Sequence, residues 1–343
     1  MSSKIKFAVV GMGHIGKRHA EMIKRNDEAE LVAICDIKPK EELGLENFDV
    51  PFFTDIDVML DAGIEFDVLC VATPNYWHCR HSFKGLKKNK HIVCEKPMAL
   101  TKAQCEVVMA TAKEVNKHVF CVLQNRYSPP SVWIKDVVSK NILGDIYMVH
   151  LNCFWNRDNR YYKKEGWKGT LELDGGTLFT QFSHFVDIMY WLFGDIKNIQ
   201  ARFYDFNHKG LTEFEDSGTV TFDFVNGGMG TINYSTSLWD VNMESSITII
   251  GSKGSVKIGG QYMNSVDYCH IENYSMPELP PVSHANDYGH YKGSAANHHF
   301  IFENVVDVLK GRAEVETSAN EGSKVVDIIE RIYSLKETVN KTE

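Results

Sequence analysis

The chain has 343 residues, of which 43% are apolar and 24% are charged, and its formal net charge is −8. This length favours two domains over one, and an acidic balance without a basic stripe argues against a nucleic-acid-binding surface. No apolar run has the length of a signal segment or a membrane span. We therefore expect a cytoplasmic protein that acts on a small molecule and has neither a nucleic-acid nor a membrane partner.

The eight cysteines do not follow the spacing of a metal site or a disulfide framework. No two of them form a CxxC pair, and several fall inside predicted strands. This usage is typical of reduced, buried thiols in a cytosolic protein. We expect no metal site and no structural disulfide.

The first part of the chain alternates short apolar runs with helical stretches. Such runs are typical of parallel strands that are covered on both faces, and the alternation predicts an α/β fold with a doubly wound parallel sheet. The predicted strands are 5–10, 31–35, 66–71, 91–94 and 118–122, and the predicted helices include 15–25, 77–88 and 102–115.

The pattern changes after residue 122. A helix is predicted from Ser128-Pro129-Pro130 to about Lys140, because proline suits the first helical turn. Alternation of apolar and polar residues around 219–224 and 230–236, with turns at 226–228 and 251–254, predicts a mostly antiparallel sheet with one open face. The other predicted elements are a strand at 146–154, helices at 176–193 and 298–309, a long loop at 270–290, and a last helix with an apolar face of Val325, Ile328, Ile329, Ile332 and Leu335.

We therefore predict two domains, 1–123 and 124–343, with the last helices as candidates to pack back on the first domain. The first of them carries a glycine-rich loop, Gly11-Met12-Gly13-His14-Ile15-Gly16, between a predicted strand and helix. In a loop of this kind the first glycine permits a tight turn, the second lets the backbone approach a pyrophosphate, and the third allows close helix–strand packing. The pyrophosphate would lie at the helix N-terminus. This predicts a dinucleotide site that includes His14 and Ile15.

Asp36 ends the next predicted strand, 20 residues after Gly16. Its carboxylate would accept hydrogen bonds from the adenosine ribose and repel a 2′-phosphate, which favours NAD over NADP. Lys38 would soften that preference. The alternative is that Asp36 only caps a turn or helix.

Three further segments follow predicted strands and so fall on the edge where open α/β sheets bind ligands. Thr73-Pro74-Asn75 follows the third strand, and we expect Asn75 to cap a helix that contains His78. Glu95-Lys96-Pro97 follows the fourth, and Asn125 follows the fifth. Each also has a purely structural interpretation: a helix cap, a helix residue or a solvated strand-end lysine.

The glycine loop, the segment from Ala72 to Asn75, Glu95-Lys96-Pro97, and the motif from Gly175-Gly176 through His184 to Asp187 resemble the glucose–fructose oxidoreductase/inositol dehydrogenase (Gfo/Idh/MocA) family. The resemblance covers essentially the whole chain. It implies an N-terminal Rossmann domain and a C-terminal α+β domain on a large, mostly antiparallel open sheet. In the family that sheet often mediates dimers or tetramers, so the resemblance implies a homodimer or homotetramer.

Several motifs also look like one branch of that family, the dehydrogenases of UDP-N-acetyl-2-amino-2-deoxyglucuronate, which oxidise the sugar 3′-hydroxyl. The segments that carry this likeness are 124–127, 154–157, 161–162, 167–170, 174–176 and 288–291. One position departs from the family. Four residues before His184, where many members have Asp and this branch often has Asn, the chain has Thr180, so an Asp–His pair is absent.

The resemblance implies that Lys96 and His184 flank the substrate carbinol opposite the nicotinamide, with Lys96 as the base and His184 as a relay or hydroxyl ligand. Glu95 would orient Lys96 or the nicotinamide ribose, and proline at position 97 allows a cis as well as a trans Lys96-Pro97 bond. Arginine suits carboxylate or phosphate, and aromatic rings suit a sugar face. The predicted substrate residues are Lys96, Asn125, Arg157, Tyr161, Tyr162, Trp167, Thr180, His184 and Tyr291.

The alternative for the aromatic and arginine cluster is a set of core rings with surface arginines. Other functions also stay open at this point. One is a dehydrogenase of a free sugar or inositol, and another is a glycosidase that uses NAD without net redox change. A third is a dinucleotide-sensing binding protein.

Overall fold

A computed structural model describes residues 3–289 and 291–336 of the chain. The chain divides into two compact units. Unit 1 contains Met1–Leu123 and His298–Val326, and unit 2 contains Gln124–Asn297 and Asp327–Glu343. Helix α8 (Ala319–Tyr333) contributes residues to both.

Unit 1 is built on a six-stranded parallel sheet with the strand order β3-β2-β1-β4-β5-β6. This order reverses direction between β1 and β4, and ligands of such sheets bind at the carboxyl end of the strands at that point. The predicted doubly wound sheet is confirmed. Its elements are β1 (Ile5–Val10), α1 (His14–Arg25), β2 (Ala29–Cys35), β3 (Phe52–Phe53), α2 (Ile56–Asp61), β4 (Val68–Val71), α3 (Asn75–Lys87), β5 (His91–Cys94), α4 (Lys102–Glu114), β6 (Val119–Cys121) and α7 (His298–Leu309).

Local sequence explains where the helices of unit 1 begin. Asp55 caps α2 by accepting hydrogen bonds from the backbone N–H groups of Asp57 and Val58, and Thr101 caps α4 in the same way. The start of α8 has a reciprocal pair, in which Glu321 accepts from the backbone and hydroxyl of Ser318. The prediction that Asn75 caps α3 is wrong. The helix begins at Asn75 itself, and the cap position before it is occupied by Pro74.

Unit 2 contains a seven-stranded sheet with the order β13-β12-β11-β7-β10-β9-β8. All neighbouring pairs are antiparallel except β10 and β7, so the predicted mostly antiparallel sheet is confirmed. Its elements are α5 (Pro129–Ser139), β7 (Ile146–Phe154), α6 (Ser183–Phe193), β8 (Ile196–Tyr204), β9 (Ser217–Phe224), β10 (Met229–Ser235), β11 (Glu244–Gly251), β12 (Gly254–Gly259) and β13 (Ser265–Ile271), with a separate pair β14 (Ala285–Asp287) and β15 (Lys292–Ala295).

The two faces of the seven-stranded sheet differ. One face buries Val149, Leu151, Val220 and Ile232, which form part of the core. The opposite face exposes side chains of β8, β10, β11 and β13, including Tyr204, Met229, Ile250 and Tyr268. The alternation in the sequence predicts this division.

Two sequence expectations for unit 2 need correction. The predicted loop at 270–290 contains the end of β13 and all of β14. The edge strand β8 was not predicted, because a bulge at Asn198, with φ of +54°, interrupts the alternation of its side chains. The predicted continuous helix at 176–193 is divided: a π-helical turn, Leu178–Phe182, precedes α6. Such a turn inserts one extra residue into the helical repeat, and a 3.6-residue pattern does not reveal it.

None of the eight cysteines, all of which lie in the described ranges, is in a disulfide. Within residues 3–289 and 291–336, no helix has both the length and the apolar character that crossing a membrane requires. The same residues contain no group of His, Cys, Asp and Glu side chains arranged to hold a metal ion.

Candidate active site

The glycine loop of unit 1 joins β1 to α1 at the carboxyl edge of the parallel sheet. Gly11 has a φ of +88°, and a Cβ there would lie 2.6 Å from the backbone of Ala72. A Cβ at Gly16 would lie 1.8 Å from the carbonyl oxygen of Gly11. Both positions therefore require glycine for the turn itself.

Gly13 is different, because the protein leaves open space beside it. A Cβ at Gly13 would meet no protein atom within 4 Å, and its φ of −68° is ordinary for any residue. Gly13 directly precedes α1, which begins at His14, so the backbone N–H groups of the first turn lie next to this space. The residues present thus fit a dinucleotide: they leave a cradle beside Gly13 and a helix N-terminus for a pyrophosphate.

Asp36 is tied to the glycine loop. Its Oδ2 accepts a hydrogen bond of 2.6 Å from the Met12 N–H, and its Oδ1 accepts one of 3.0 Å from the Lys38 N–H. These bonds fix the carboxylate beside the loop, and each carboxylate oxygen can accept a second bond. Ile37 follows with a side chain that is 88% exposed.

His78 lies between two loops of this edge. Its Nδ1 is 2.7 Å from the Pro97 carbonyl oxygen, and its Nε2 is 2.7 Å from the Thr73 carbonyl oxygen. Burial is the largest influence on the pKa of His78 and lowers it, whereas the two carbonyls raise it. His78 and the neighbouring Asn75 are both buried, so His78 joins the Thr73 loop to the Lys96 loop from inside the protein.

Lys96 is half-buried, and the Lys96–Pro97 peptide is cis, one of the two isomers that the sequence allows. The Glu95 carboxylate is buried and turned towards His19, whose Nε2 is 2.8 Å from Oε1. Burial would raise the pKa of Glu95, but the hydrogen bond and charge of His19, with His298 and Lys96, outweigh it and lower the pKa to about 2. The other oxygen accepts the Lys96 backbone N–H at 3.3 Å. Glu95 is therefore an ionised group that holds the backbone of Lys96.

In unit 2, His184 lies in the first turn of α6 and is buried. The Gln124 amide nitrogen is 3.1 Å from His184 Nε2, and an amide N–H can donate a hydrogen bond to that ring nitrogen. The next residue, Asn125, is 2% exposed, and neither polar atom of its side chain has a hydrogen-bond partner among the described residues. Buried amide side chains almost always have hydrogen-bond partners. We therefore expect a bound ligand to supply the partner of Asn125.

A buried ion pair fixes the chain around Gln124 and Asn125. Arg126 donates two hydrogen bonds to Asp187, from Nε to Oδ2 at 2.9 Å and from Nη2 to Oδ1 at 2.6 Å. Asp187 is the last residue of the Gly-Gly/His/Asp motif, and it lies three residues after His184 on α6. Its role in the structure is to bind the 124–127 turn to that helix.

The π-helical turn before His184 is linked to the predicted substrate residues. Thr180 donates its hydroxyl hydrogen to the buried Asp174 carboxylate. The Gln181 side chain accepts from Arg157 Nε at 2.8 Å and donates to the Tyr161 hydroxyl at 2.8 Å. Thr180 and Gln181 thus lie on one turn that leads directly to His184.

Arg157 is only 2% exposed. Besides Gln181, it donates to the Asn156 and Lys292 carbonyl oxygens and to Asn242 Oδ1. Its guanidinium carbon is 4.7–5.1 Å from the ring centroids of Trp155, Tyr161 and Tyr291. Every one of these partners is neutral, and no carboxylate of residues 3–289 or 291–336 pairs with Arg157.

Lys168, which was not among the predicted substrate residues, and the predicted Tyr162 and Trp167 occupy different environments. Lys168 Nζ is 3.9 Å from the Tyr161 ring centroid and 3.4 Å from the Tyr291 hydroxyl, so a second cation faces the same tyrosines. Tyr162 is a core residue that packs against Phe214 and Tyr161. Trp167 is half-buried in a local turn, where its carbonyl accepts the Thr170 hydroxyl.

Family models match both units of this chain. The model of an oxidoreductase family with an NAD-binding Rossmann fold, Gfo/Idh/MocA, matches residues 5–122, and the model of the Gfo/Idh/MocA C-terminal domain matches residues 132–257. The chain belongs to the Gfo/Idh/MocA family. It is accordingly an NAD-dependent oxidoreductase that acts on CH–OH groups, with NAD bound by the Rossmann unit.

Individual relatives of this Gfo/Idh/MocA protein were also found. The WlbA dehydrogenase of Bordetella pertussis, crystallised with NADH and UDP-GlcNAcA, is 32% identical with a TM-score of 0.86, and the alignment covers 96% of each chain. The WlbA dehydrogenase of Chromobacterium violaceum, with the same ligands, is 33% identical with a TM-score of 0.85 over 97% of this chain and 94% of that one. The 2,7-anhydro-N-acetylneuraminate hydratase of Escherichia coli is 26% identical over 75% of this chain and 68% of its own length.

Sequence reasoning missed several side chains that contact the predicted site residues of the Gfo/Idh/MocA chain. Gln124 precedes the predicted Asn125 and contacts His184, and Gln181 joins Arg157 to the π-helical turn. Asn242 lies 85 residues from Arg157 in the sequence. No local pattern marks an amide side chain whose partner is so distant.

Proposed function

We propose that the chain oxidises the 3′-hydroxyl of a UDP-linked N-acetylamino sugar uronic acid with NAD. Two relatives above 30% identity, similar over nearly the whole chain, were crystallised with UDP-GlcNAcA and NADH. The observation that supports an acidic substrate is the burial of Arg157 among neutral partners. A buried cation without an anionic partner among the described residues is costly, and an incoming carboxylate would offset that cost.

The surroundings of Arg157 support an anionic sugar over a neutral one. Arg157 and Lys168 both face Tyr161 and Tyr291, so positive charge and aromatic surface occur together. Ring faces stabilise a cation only in part, and a carboxylate would do so by charge-assisted hydrogen bonds. Lys168 is less buried than Arg157 and would be the first of the two cations to meet a ligand.

The proposed chemistry assigns one proton and one hydride. Bound NAD supplies the hydride acceptor for the hydrogen on C3. Lys96 takes the proton from O3 of the same carbinol, and the Glu95 carboxylate fixes its backbone. His184, whose ring contacts the Gln124 amide at Nε2, binds the substrate hydroxyl or relays its proton. Asn125, with its unsatisfied amide, contributes a further polar contact to cofactor or substrate.

A second candidate is a reaction without net oxidation. The chain is also similar to a 2,7-anhydro-N-acetylneuraminate hydratase, whose name describes the addition or loss of water. For this chain such a reaction would regenerate NAD in every turnover. Product mass separates the two candidates, because only the first removes two hydrogens from the sugar.

Arg157→Ala tests the acidic substrate. Charge-assisted hydrogen bonds contribute about 1.5–3 kcal/mol, so the variant is expected to bind UDP-N-acetylglucosaminuronic acid about 10- to 150-fold more weakly, as measured by calorimetry. Binding of UDP-N-acetylglucosamine, which lacks the carboxylate, should change far less. Arg160→Ala is the matched control, because Arg160 is exposed and already paired with Asp158 and Asp240. An equal loss for both sugars would reject the carboxylate role.

We also infer that copies of the chain associate through the open face of the seven-stranded sheet. The exposed apolar side chains Tyr204, Met229, Ile250 and Tyr268 on that face support this, because an uncovered sheet face with large apolar groups is typical of an interaction surface. Light scattering should give a mass of two or four chains, and Tyr268→Glu should lower it. A monomeric wild-type protein would contradict the inference.

A further inference from the structure

A buried carboxylate in unit 2 lies at the centre of a network that the proposed chemistry does not use. Glu215 is 5% exposed, and it accepts hydrogen bonds from the Tyr234 hydroxyl at 2.8 Å and the Tyr333 hydroxyl at 2.7 Å. Lys336 pairs with its other oxygen. Burial and the Glu215 charge raise the pKa of both tyrosines well above the usual range, so both phenols remain protonated donors.

This network contacts the start of the π-helical turn. The Leu178 backbone N–H donates to the Tyr333 hydroxyl at 2.8 Å, and the Thr177 hydroxyl donates to the Glu215 carbonyl at 2.6 Å. Gly176 lies directly against the ring, since a Cβ there would be 2.7 Å from the Tyr333 hydroxyl oxygen. Three consecutive residues, 176–178, therefore rest on Tyr333 and Glu215.

The contact with Tyr333 supplies a hydrogen-bond acceptor that the turn itself lacks. The first N–H groups of any helical segment have no acceptor within it, and Thr177, the residue before this turn, does not cap it with its own side chain. A π-helical turn is also a rare conformation that is frequent at functional sites. The Tyr333 oxygen is the acceptor for the first of these N–H groups, and Tyr333 can serve because its own hydrogen goes to Glu215. The two residues thus act as one unit.

We propose that Tyr333 and Glu215 are positioning residues for the reaction: they fix the π-helical turn Leu178–Phe182 and thereby the place of His184 on α6. The inference rests on the proposed function, in which His184 acts on the substrate hydroxyl.

Tyr333→Phe removes one hydroxyl and leaves the ring that packs on Gly176. Small displacements of a catalytic group lower rates by up to about 100-fold, so we expect kcat to fall between about 10- and 100-fold while KM changes by less than about threefold. NAD binding by unit 1 should be unchanged. Tyr147→Phe is the matched control, because Tyr147 is 56% exposed on β7 and lies outside the network. A Tyr333→Phe enzyme with wild-type kcat would overturn the proposal.

The same substitution in a His184→Gln enzyme shows whether Tyr333 acts through His184. If it does, Tyr333→Phe lowers the residual rate of His184→Gln by less than about twofold, measured as product mass after long incubation. An undiminished 10- to 100-fold loss in that background would overturn this inference alone. Wild-type activity of His184→Gln by itself would instead remove His184 from the proposed function, whatever Tyr333 does.

Backbone hydrogen exchange provides a readout that does not depend on any substrate. In Tyr333→Phe, peptides covering 176–184 should exchange at least about tenfold faster than in wild type, and peptides of the Rossmann sheet should not change. Glu215→Gln should give the same pattern, because it weakens the acceptor that orients the Tyr333 hydroxyl. Unchanged exchange at 176–184 in both variants would overturn the anchoring role.

Discussion

Gly13→Ala separates the fold of the glycine loop from its use as a cofactor cradle. A Cβ at this position meets no protein atom within 4 Å, and the backbone at Gly13, with φ of −68°, admits alanine without strain. The change lowers the conformational entropy of the unfolded chain and leaves the folded chain unstrained. It is expected to stabilise the protein by about 0.4–1 kcal/mol. The free energy of unfolding of the NAD-free protein, from urea denaturation, measures this effect.

The same methyl group would enter the open space beside Gly13, where we expect the pyrophosphate of NAD to lie. Overpacking by a methyl group costs about 1–3 kcal/mol, which corresponds to about a 5- to 150-fold weaker Kd for NAD. Calorimetric titration of wild type and variant with NAD measures it. We therefore expect a protein that is more stable without cofactor and that binds the cofactor less tightly.

Gly16→Ala is the matched comparison. A Cβ at Gly16 would lie 1.8 Å from the Gly11 carbonyl oxygen, so the loop itself must move, and both stability and NAD affinity should fall. Wild-type NAD affinity in Gly13→Ala would refute the reasoning, because the open space beside Gly13 would then not be where the cofactor passes. A stability loss in Gly13→Ala like that of Gly16→Ala would refute the structural argument.

Three further predictions concern single side chains. Burial is the main influence on the pKa of His298 and lowers it to about 3. Below about pH 6.5 the unfolded chain therefore binds a proton at His298 that the folded chain does not. Between pH 6.5 and 5.5 the free energy of unfolding, measured by urea denaturation at each pH, should fall by about 1 kcal/mol more in wild type than in His298→Gln. Asp36→Ser should remove the repulsion of a 2′-phosphate and shift the ratio of NADP to NAD affinity by about fivefold or more, since two charges about 4 Å apart interact by at least about 1 kcal/mol; an unchanged ratio would remove Asp36 from ribose recognition. Asp187→Asn leaves the buried Arg126 without its carboxylate, and thermal or urea unfolding should show a loss of about 3–5 kcal/mol; a loss under about 1 kcal/mol would contradict the structural role of this pair.

The sequence predicts most of the Rossmann unit because its signals are local. The strand before Gly11, the helix after it, and Asp36 at the end of β2 all depend on residues within a few positions of one another. Apolar runs such as Val68–Val71 are fully buried, so their composition alone indicates a central strand. The edge strand Phe52–Phe53 has only two residues and leaves no pattern.

The support around the predicted site residues was not predictable in the same way. The π-helical turn depends on Tyr333 and Glu215, which are separated by 118 residues. Arg157 was predicted from its residue type and from the likeness of segment 154–157 to one branch of the family. Its burial among neutral acceptors follows from Asn242 and Lys292, far along the chain. Tyr162 has the residue type of a sugar-stacking ring, but its packing against Phe214 makes it part of the core. Long-range contacts decide these cases.

Transfer of hydrogen from C3 of the sugar tests the central claim most directly. The purified protein would be incubated with NAD and UDP-N-acetylglucosaminuronic acid that carries deuterium at C3, with and without a 2-oxo acid as a second oxidant, and both products would be weighed by mass spectrometry. We predict a keto sugar that has lost the deuterium and a reduced cofactor, or a reduced 2-oxo acid, that has gained it. Lys96→Met should bind NAD and transfer at least about 100-fold more slowly. A product that retains deuterium at C3, or an unlabelled reduced cofactor, would contradict oxidation at this position.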